Sequence, residues 1–239
     1  MKTALRQILL SKRSLWTFAS VVTDLWLDGA DSATITSSSN LISKWKDKSG
    51  NNRHATQSVL ANQPSLEFNS LNGLSSVNTT TNDTYLLIPQ LSTVRFVFIV
   101  HKWFDVSTNY RPILGDLAVY NFVGGPIPSL FDSTYASPFV LNGSGLVNGV
   151  SVNVGGMVRT TSPTMLSIST TGNTSVSTIS KDRDVYSRNF SGNFYEIVLM
   201  STIPSDADIR RFEGASAYKW GLTANLPNNH PYKTAPPYL

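Results

Sequence analysis

The segment Arg95 to His101 places Phe96, Phe98 and Val100 in alternation with Val97, Ile99 and His101. Successive side chains of a strand point to opposite faces, so this strand is apolar on both sides and has to be covered on both. It is predicted to be central to a sheet. Leu166 to Thr170 and Phe194 to Met200 read as further strands, and short β-prone runs recur along the chain between clusters of Gly, Asn, Ser, Thr and Pro. That texture is the sequence form of an antiparallel sandwich or barrel.

Asn72-Gly73, Asn142-Gly143 and Asn148-Gly149 are strong turn signals, because both residues tolerate the positive φ that a tight hairpin needs. Gly155-Gly156 and Gly172-Asn173 add two more breaks, and no fixed-period repeat is visible. A length of 239 residues suits one all-β domain, and 41% hydrophobic with 14% charged residues supplies a core without the self-repulsion of a disordered chain.

One stretch departs from the β texture. Ser205 stands where it caps a helix, Asp206 and Asp208 fall in the first turn, where the helix dipole favours negative charge, and Ile209, Phe212, Ser216 and Trp220 follow at helical spacing. Gly221 is the natural stop. Beyond it, Leu226-Pro227, His230-Pro231-Tyr232 and Pro236-Pro237 are too rich in proline for helix or sheet interior. They predict an extended strap over the surface, of a kind that is usually held by something, often a neighbouring subunit.

Several function classes are disfavoured. The chain has no cysteine, so it forms neither a disulfide framework nor a thiolate metal site. Its formal charge of +4 is spread along the sequence apart from Lys2, Arg6, Lys12 and Arg13, without the dense basic face of a nucleic-acid binder. No apolar run is long enough to predict membrane insertion, and Ile8-Leu9-Leu10 is too short for the core of a signal peptide, so the amino terminus reads as mature sequence.

Ordered motifs carry a family resemblance over nearly the whole chain. Asp24-Leu25-Trp26-Leu27-Asp28-Gly29 resembles the opening strand of laminin-G-like, concanavalin A-like domains found in bacteriophage virion proteins and bacterial surface proteins. Trp45-Lys46-Asp47-Lys48-Ser49-Gly50-Asn51 is similar to that family's W-x-D-x-S-G-N loop. Asn72-Gly73-Leu74, Pro112 to Asp116, Val147-Asn148-Gly149, Ser191 to Val198, and Tyr218 to Leu222 with Leu226-Pro227 match further elements in order. The resemblance implies an all-β fold, a two-sheet antiparallel jelly-roll sandwich with one short C-terminal helix, and ligands such as glycans or protein surfaces. Its matching positions read as architectural: Trp26, Trp45 and Trp220 as core, and Gly50, Gly73, Gly149 and Gly221 as turns. The expected organisation is an N-terminal extension over 1–22, the jelly roll over 23–222 and the strap over 223–239.

Catalytic constellations are thin. His54, His101 and His230 lack any metal-ligand spacing, and Glu67, Glu196 and Glu213 do not form the closely spaced carboxylate set of a jelly-roll glycosidase. Asn142-Gly143-Ser144-Gly145 is no nucleophile turn. No cofactor is expected, save that laminin-G-like folds often hold calcium, for which Asp47, Ser49 and Asn51 alternate as oxygen donors. The competing reading is that Asp47 and Asn51 bond their own turn.

For glycan binding, the middle of the chain mixes aromatics with amides and carboxylates: Trp103, Asp105, Asn109, Tyr110, Tyr120, Asn121 and Tyr135. The expectation is a non-catalytic virion protein, in a tail, fibre, baseplate or head decoration, in multiple copies beside other virion subunits and facing a cell-surface glycan. A lectin-like module of a cellular surface protein and a polysaccharide-degrading enzyme are the alternatives.

Overall fold

The computed structural model describes residues 14–79, 83–183 and 185–239. The basic cluster at Lys2, Arg6, Lys12 and Arg13 lies outside the described residues. Twelve antiparallel strands dominate: β1 (Leu25–Asp28), β2 (Ile35–Ser38), β3 (Leu41–Trp45), β4 (Ala55–Thr56), β5 (Ser65–Leu71), β6 (Leu74–Asn78), β7 (Leu86–Trp103), β8 (Leu114–Gly115), β9 (Ser144–Val147), β10 (Val150–Asn153), β11 (Thr164–Ile179) and β12 (Gly192–Met200). Among the described residues two α-helices, α1 (Pro138–Leu141) and α2 (Asp206–Lys219), complete an all-β sandwich.

β7 is central, as its two-faced apolar pattern requires. Its Phe96 to His101 half lies between β12 and the first half of β11, while its Leu86 to Val94 half pairs with the second half of β11. Pairing also runs from β12 through β6, β5, β3 and β4 back to β7. Val97 and Ile99 point inward with Leu166, Ile168, Ile197 and Leu199, into a buried apolar cluster that also holds Ile42, Trp45, Leu66, Val77, Ile113, Phe122 and Phe131. Phe96, Phe98 and Val100 point outward and are covered by α2 and the segment carrying Trp16 and Phe18. Phe212 is the hub there, its ring 5.0 Å from Phe18, 5.4 Å from Trp16, 5.6 Å from Phe96 and 5.7 Å from Phe98.

A bulge decides where the one buried glutamate of β12 goes. The register with β7 shifts between Phe194 and Glu196, so Tyr195 is the extra residue. Phe194 faces inward and Glu196 outward, beside its β1 partner Asp28. Strict alternation would have driven a carboxylate into the aliphatic core.

The helix matches its sequence signals: the Ser205 hydroxyl accepts from Asp208 N at 3.2 Å, and Gly221 closes it at φ 71°. Asn72-Gly73 and Asn148-Gly149 form the β5–β6 and β9–β10 hairpins with positive φ at both residues. Two expectations are corrected. Asn142-Gly143 ends α1, a helix absent from the sequence reading, with Asn142 N bonded to Pro138 O. Gly172-Asn173 is no turn but the irregular bend inside β11, where a Cβ on Gly172 would lie 2.7 Å from the Phe139 ring. Within the chain, the strap closes on itself through Lys233 Nζ, which donates to the carbonyls of Thr223, Ala224 and Leu226, and Trp16 N of the amino-terminal segment donates to Pro237 O at 3.0 Å.

His230 fastens that strap to the helix. Its Nδ1 accepts from Tyr232 N, so Nε2 carries the proton and donates to Glu213 Oε2 at 3.2 Å, and Arg210 bonds the same oxygen and Gly149 O. Burial, with Arg210 and Lys233 nearby, lowers the His230 pKa to about 4, so the ring is neutral at pH 7. A side chain on Gly149 would crowd Pro227 Cδ at 3.0 Å, beyond the strain of its φ of 82°.

Candidate functional site

The loops after β7, after β8 and between β11 and β12 gather on one face. Two buried aspartates shape them. Asp116 accepts from Ala118 N, Val119 N and the Ser175 hydroxyl, and Asp132 accepts from Thr134 N and Tyr135 N, both at 2.8 Å. With the backbone folded round these carboxylates, Tyr120 and Tyr135 project outward, 47% and 63% exposed, with ring centroids 6.3 Å apart.

A second strand of the argument comes from the β11–β12 loop. Asp182, 3% exposed, accepts from Arg183 Nε at 2.8 Å and Nη2 at 2.9 Å, a two-pronged geometry that fixes the guanidinium plane. That plane lies 4.1 Å over the Tyr120 ring, and Nη1 donates to the Tyr120 hydroxyl at 2.8 Å. Arg188 reaches the same aspartate at 3.4 Å and sits 4.9 Å over Tyr110. The result is a continuous surface array of Tyr110, Arg188, Asp182, Arg183, Tyr120 and Tyr135. Tyr110 and Arg183 adopt φ of 58° and 48°, a region that costs a bulky residue about 1–3 kcal/mol and persists where surroundings impose it.

The seven residues singled out for glycan contact therefore divide. Tyr110, Tyr120 and Tyr135 come together and are exposed. Asp105 is spent on its own turn: it accepts from Ser107 N at 2.6 Å, from the Ser107 hydroxyl and from Thr108 Oγ1, and these Ser107 bonds hold its pKa below the usual carboxylate value. Asn109 is exposed and pins the neighbouring loop by accepting from Ile127 N at 2.9 Å. Asn121 is half-buried and turns toward Ser175 O. Trp103 does not belong to the surface at all. It is fully buried, edge-on to Phe190 at 4.4 Å and beneath the Arg159 guanidinium at 4.8 Å.

Asp182, Arg183 and Arg188 escaped the sequence reading. The signal was present as a local run of alternating charge, Lys181-Asp182-Arg183-Asp184, but nothing in it tells that Arg183 meets a tyrosine 63 residues away.

The residues proposed for calcium do not fit the ion. Asp47 Oδ1 accepts from Trp26 N at 3.0 Å and Ser49 N at 2.9 Å, and Oδ2 from Arg53 N at 3.0 Å and the Ser49 hydroxyl at 2.7 Å. Both oxygens are committed, and Asn51 Nδ2 donates to Thr23 O. Among the described residues no group of three or more His, Asp or Glu side chains could hold a metal ion. The loop's carboxylate fastens the loop to β1.

Each glutamate is likewise engaged: Glu67 with Asn78, Glu213 with His230 and Arg210, and Glu196 with Trp26, Ser216, Lys219 and Trp220. His54 accepts from Asp47 N, and His101 is buried, its pKa lowered to about 4 by desolvation. Comparisons with protein-family models, curated proteins and solved structures gave no match to the chain.

Proposed function

We propose that this chain is a non-catalytic, laminin-G-like component of a bacteriophage virion, present in several copies, whose loop face binds a glycan of the host surface. The observation that carries the glycan reading is the Tyr110, Arg188, Asp182, Arg183, Tyr120, Tyr135 array. Sugar C–H faces stack on exposed rings, and guanidinium groups held in place by the buried Asp182 suit sugar hydroxyls. The engagement of all three glutamates in structural bonds supports a binding rather than a hydrolytic role. The virion setting rests on the ordered family motifs in the sequence.

A glycan array probed with the purified chain tests the reading. A defined set of hits is expected, with Tyr120→Ala and Arg183→Ala each lowering affinity about tenfold, equivalent to ~1.4 kcal/mol. An array silent for the intact chain, or hits untouched by both substitutions, removes the loop face from consideration. New reducing ends from host polysaccharide would overturn the non-catalytic part. Mass spectrometry of purified particles tests the virion part through copy number.

A further inference from the structure

On the outer side of β1, away from the loop array, a cleft of about 450 Å³ opens between the amino-terminal strap, α2 and the carboxy-terminal strap. That volume lies within the range of about 300–1,000 Å³ typical of small-molecule sites. Its walls are apolar, with Trp16, Phe18, Trp26 and Tyr218 among them, and its floor is ionic, with Asp28, Glu196, Lys48 and Lys219. Lys219 Nζ donates to Asp28 Oδ1 at 2.6 Å and Glu196 Oε1 at 3.0 Å, while Lys48 Nζ donates to Asp28 Oδ2 at 2.9 Å and Asp31 Oδ2 at 2.7 Å.

From this geometry we infer that the cleft is a second binding site, for one neutral pyranose ring. The first reason is donor valence. An ammonium carries three N–H groups, and each lysine uses two on carboxylates, leaving one apiece at the floor of the cleft. Both lysine side chains line the cleft and remain 24% and 27% exposed. Glu196 is closed to a ligand, because its two oxygens already accept from Trp26 Nε1, Lys219, Trp220 Nε1 and Ser216. The floor thus offers donors, and the ligand must bring acceptors.

Charge then excludes the ionic candidates. Within the cleft Asp28 and Glu196 balance Lys48 and Lys219, so neither an anion nor a cation meets a net opposite charge, and a cation must in addition displace a lysine already bonded to two carboxylates. The aromatic walls set the ligand's shape. Tyr218, half-buried, lines the cleft and has no ring or hydrogen-bond partner among the described residues. A neutral ring with one C–H face and a rim of hydroxyls meets both demands.

This site shares no residue with the loop array and does not depend on it. Intrinsic tryptophan fluorescence and saturation-transfer NMR follow titration with methyl α-glucopyranoside, methyl β-galactopyranoside and the methyl β-glycoside of N-acetylglucosamine, with glucuronate and cyclohexylammonium as charged probes. At least one neutral glycoside is expected to saturate, and the charged probes to bind about fivefold more weakly or not at all. Tyr218→Ala and Lys48→Met are each expected to lower affinity about fivefold, and Tyr120→Ala to leave it unchanged. If Lys48→Met lowers the melting temperature, Tyr218→Ala reads the same contact with the ion cluster intact. No saturable response from any neutral glycoside overturns the inference, as does binding indifferent to Tyr218→Ala or tighter binding of a charged probe. Loss through Tyr120→Ala instead would assign the sugar to the loop face.

Discussion

On the inner face of β7, Val97 and Ile99 face aliphatic and aromatic side chains, among them Ile113, Leu114, Phe122, Phe131, Leu166 and Ile168. On the outer face, Phe96 and Phe98 stack under Phe212, and the adjoining strands carry an ionic cluster in which Glu196 and Asp28 are bridged by Lys219. The first arrangement is non-directional: burial stabilises it in proportion to apolar area, at about 25 cal/mol per Å². The second is directional. Its carboxylates have lost water, and they are tolerated only because every oxygen of Glu196 finds donors. Burial opposes ionisation of Asp28, yet Lys219 and Lys48 hold its pKa below 3.8. The two faces of one strand should therefore fail under different stresses.

The sharpest contrast comes from Glu196→Ala. It strands Lys219 and two indole N–H groups in a buried site and is expected to cost about 3–5 kcal/mol, measured by urea unfolding. A loss under about 1 kcal/mol would mean that the rings alone hold the outer face.

Acid is the next test. His230 and His101 have folded pKa values of about 4 against an unfolded 6.5, so the unfolded chain takes up protons first as pH falls. Their stabilising contribution is complete above about pH 6.5 and is lost progressively down to about pH 4. Glu213, raised by desolvation, takes up its proton more readily in the folded state and offsets part of that loss at the acid end of the window. Below 3.8 Asp28 reverses that trend, since its depressed pKa withdraws stability as it protonates. The urea midpoint should fall between pH 6.5 and 4, and His230→Gln should make the fall shallower. A midpoint flat across that range would break the assignment of a neutral, buried His230.

The aliphatic residues of the inner face should show neither effect, although His101 follows them on that face, against Phe190. Ile99→Val is expected to cost about 1 kcal/mol by the loss of one buried methylene, equally at pH 7 and pH 5. A pH-dependent cost there would mean that Ile99 is coupled to the buried His101 on the same face. The smallest effect is calcium. With Asp47 fully bonded to its own loop, calcium or a chelator should move the melting temperature by less than about 1 °C, because an ion without differential affinity shifts nothing.

Much of the scaffold was legible because its signals are local. The alternation through Phe96 to His101, the Ser205 cap with its two acidic residues, and the Asn-Gly pairs at 72–73 and 148–149 each fix a conformation from neighbours in sequence. Gly172-Asn173 misled because the same residues that make a turn also permit a bend within a strand. Glu196 was unreadable for a different reason. Its outward orientation follows from one extra residue in the register, and a register is a property of two strands. The candidate site divides the same way. Exposed tyrosines were legible by type, but Trp103 has the same composition signal and lies in the core, and the arginines that organise the tyrosines come from a loop distant in sequence.

The length of β7 and β11 has a consequence for how the molecule opens. Each runs continuously from one layer of the sandwich into the other, with register shifts between Ser169 and Thr178 rather than a break. There is no seam along which one layer could detach while the other stayed paired. Amide hydrogens of β7 from Leu87 to Val100 should then exchange with solvent through one common opening event, at the free energy of global unfolding, and the domain should behave as a single cooperative unit.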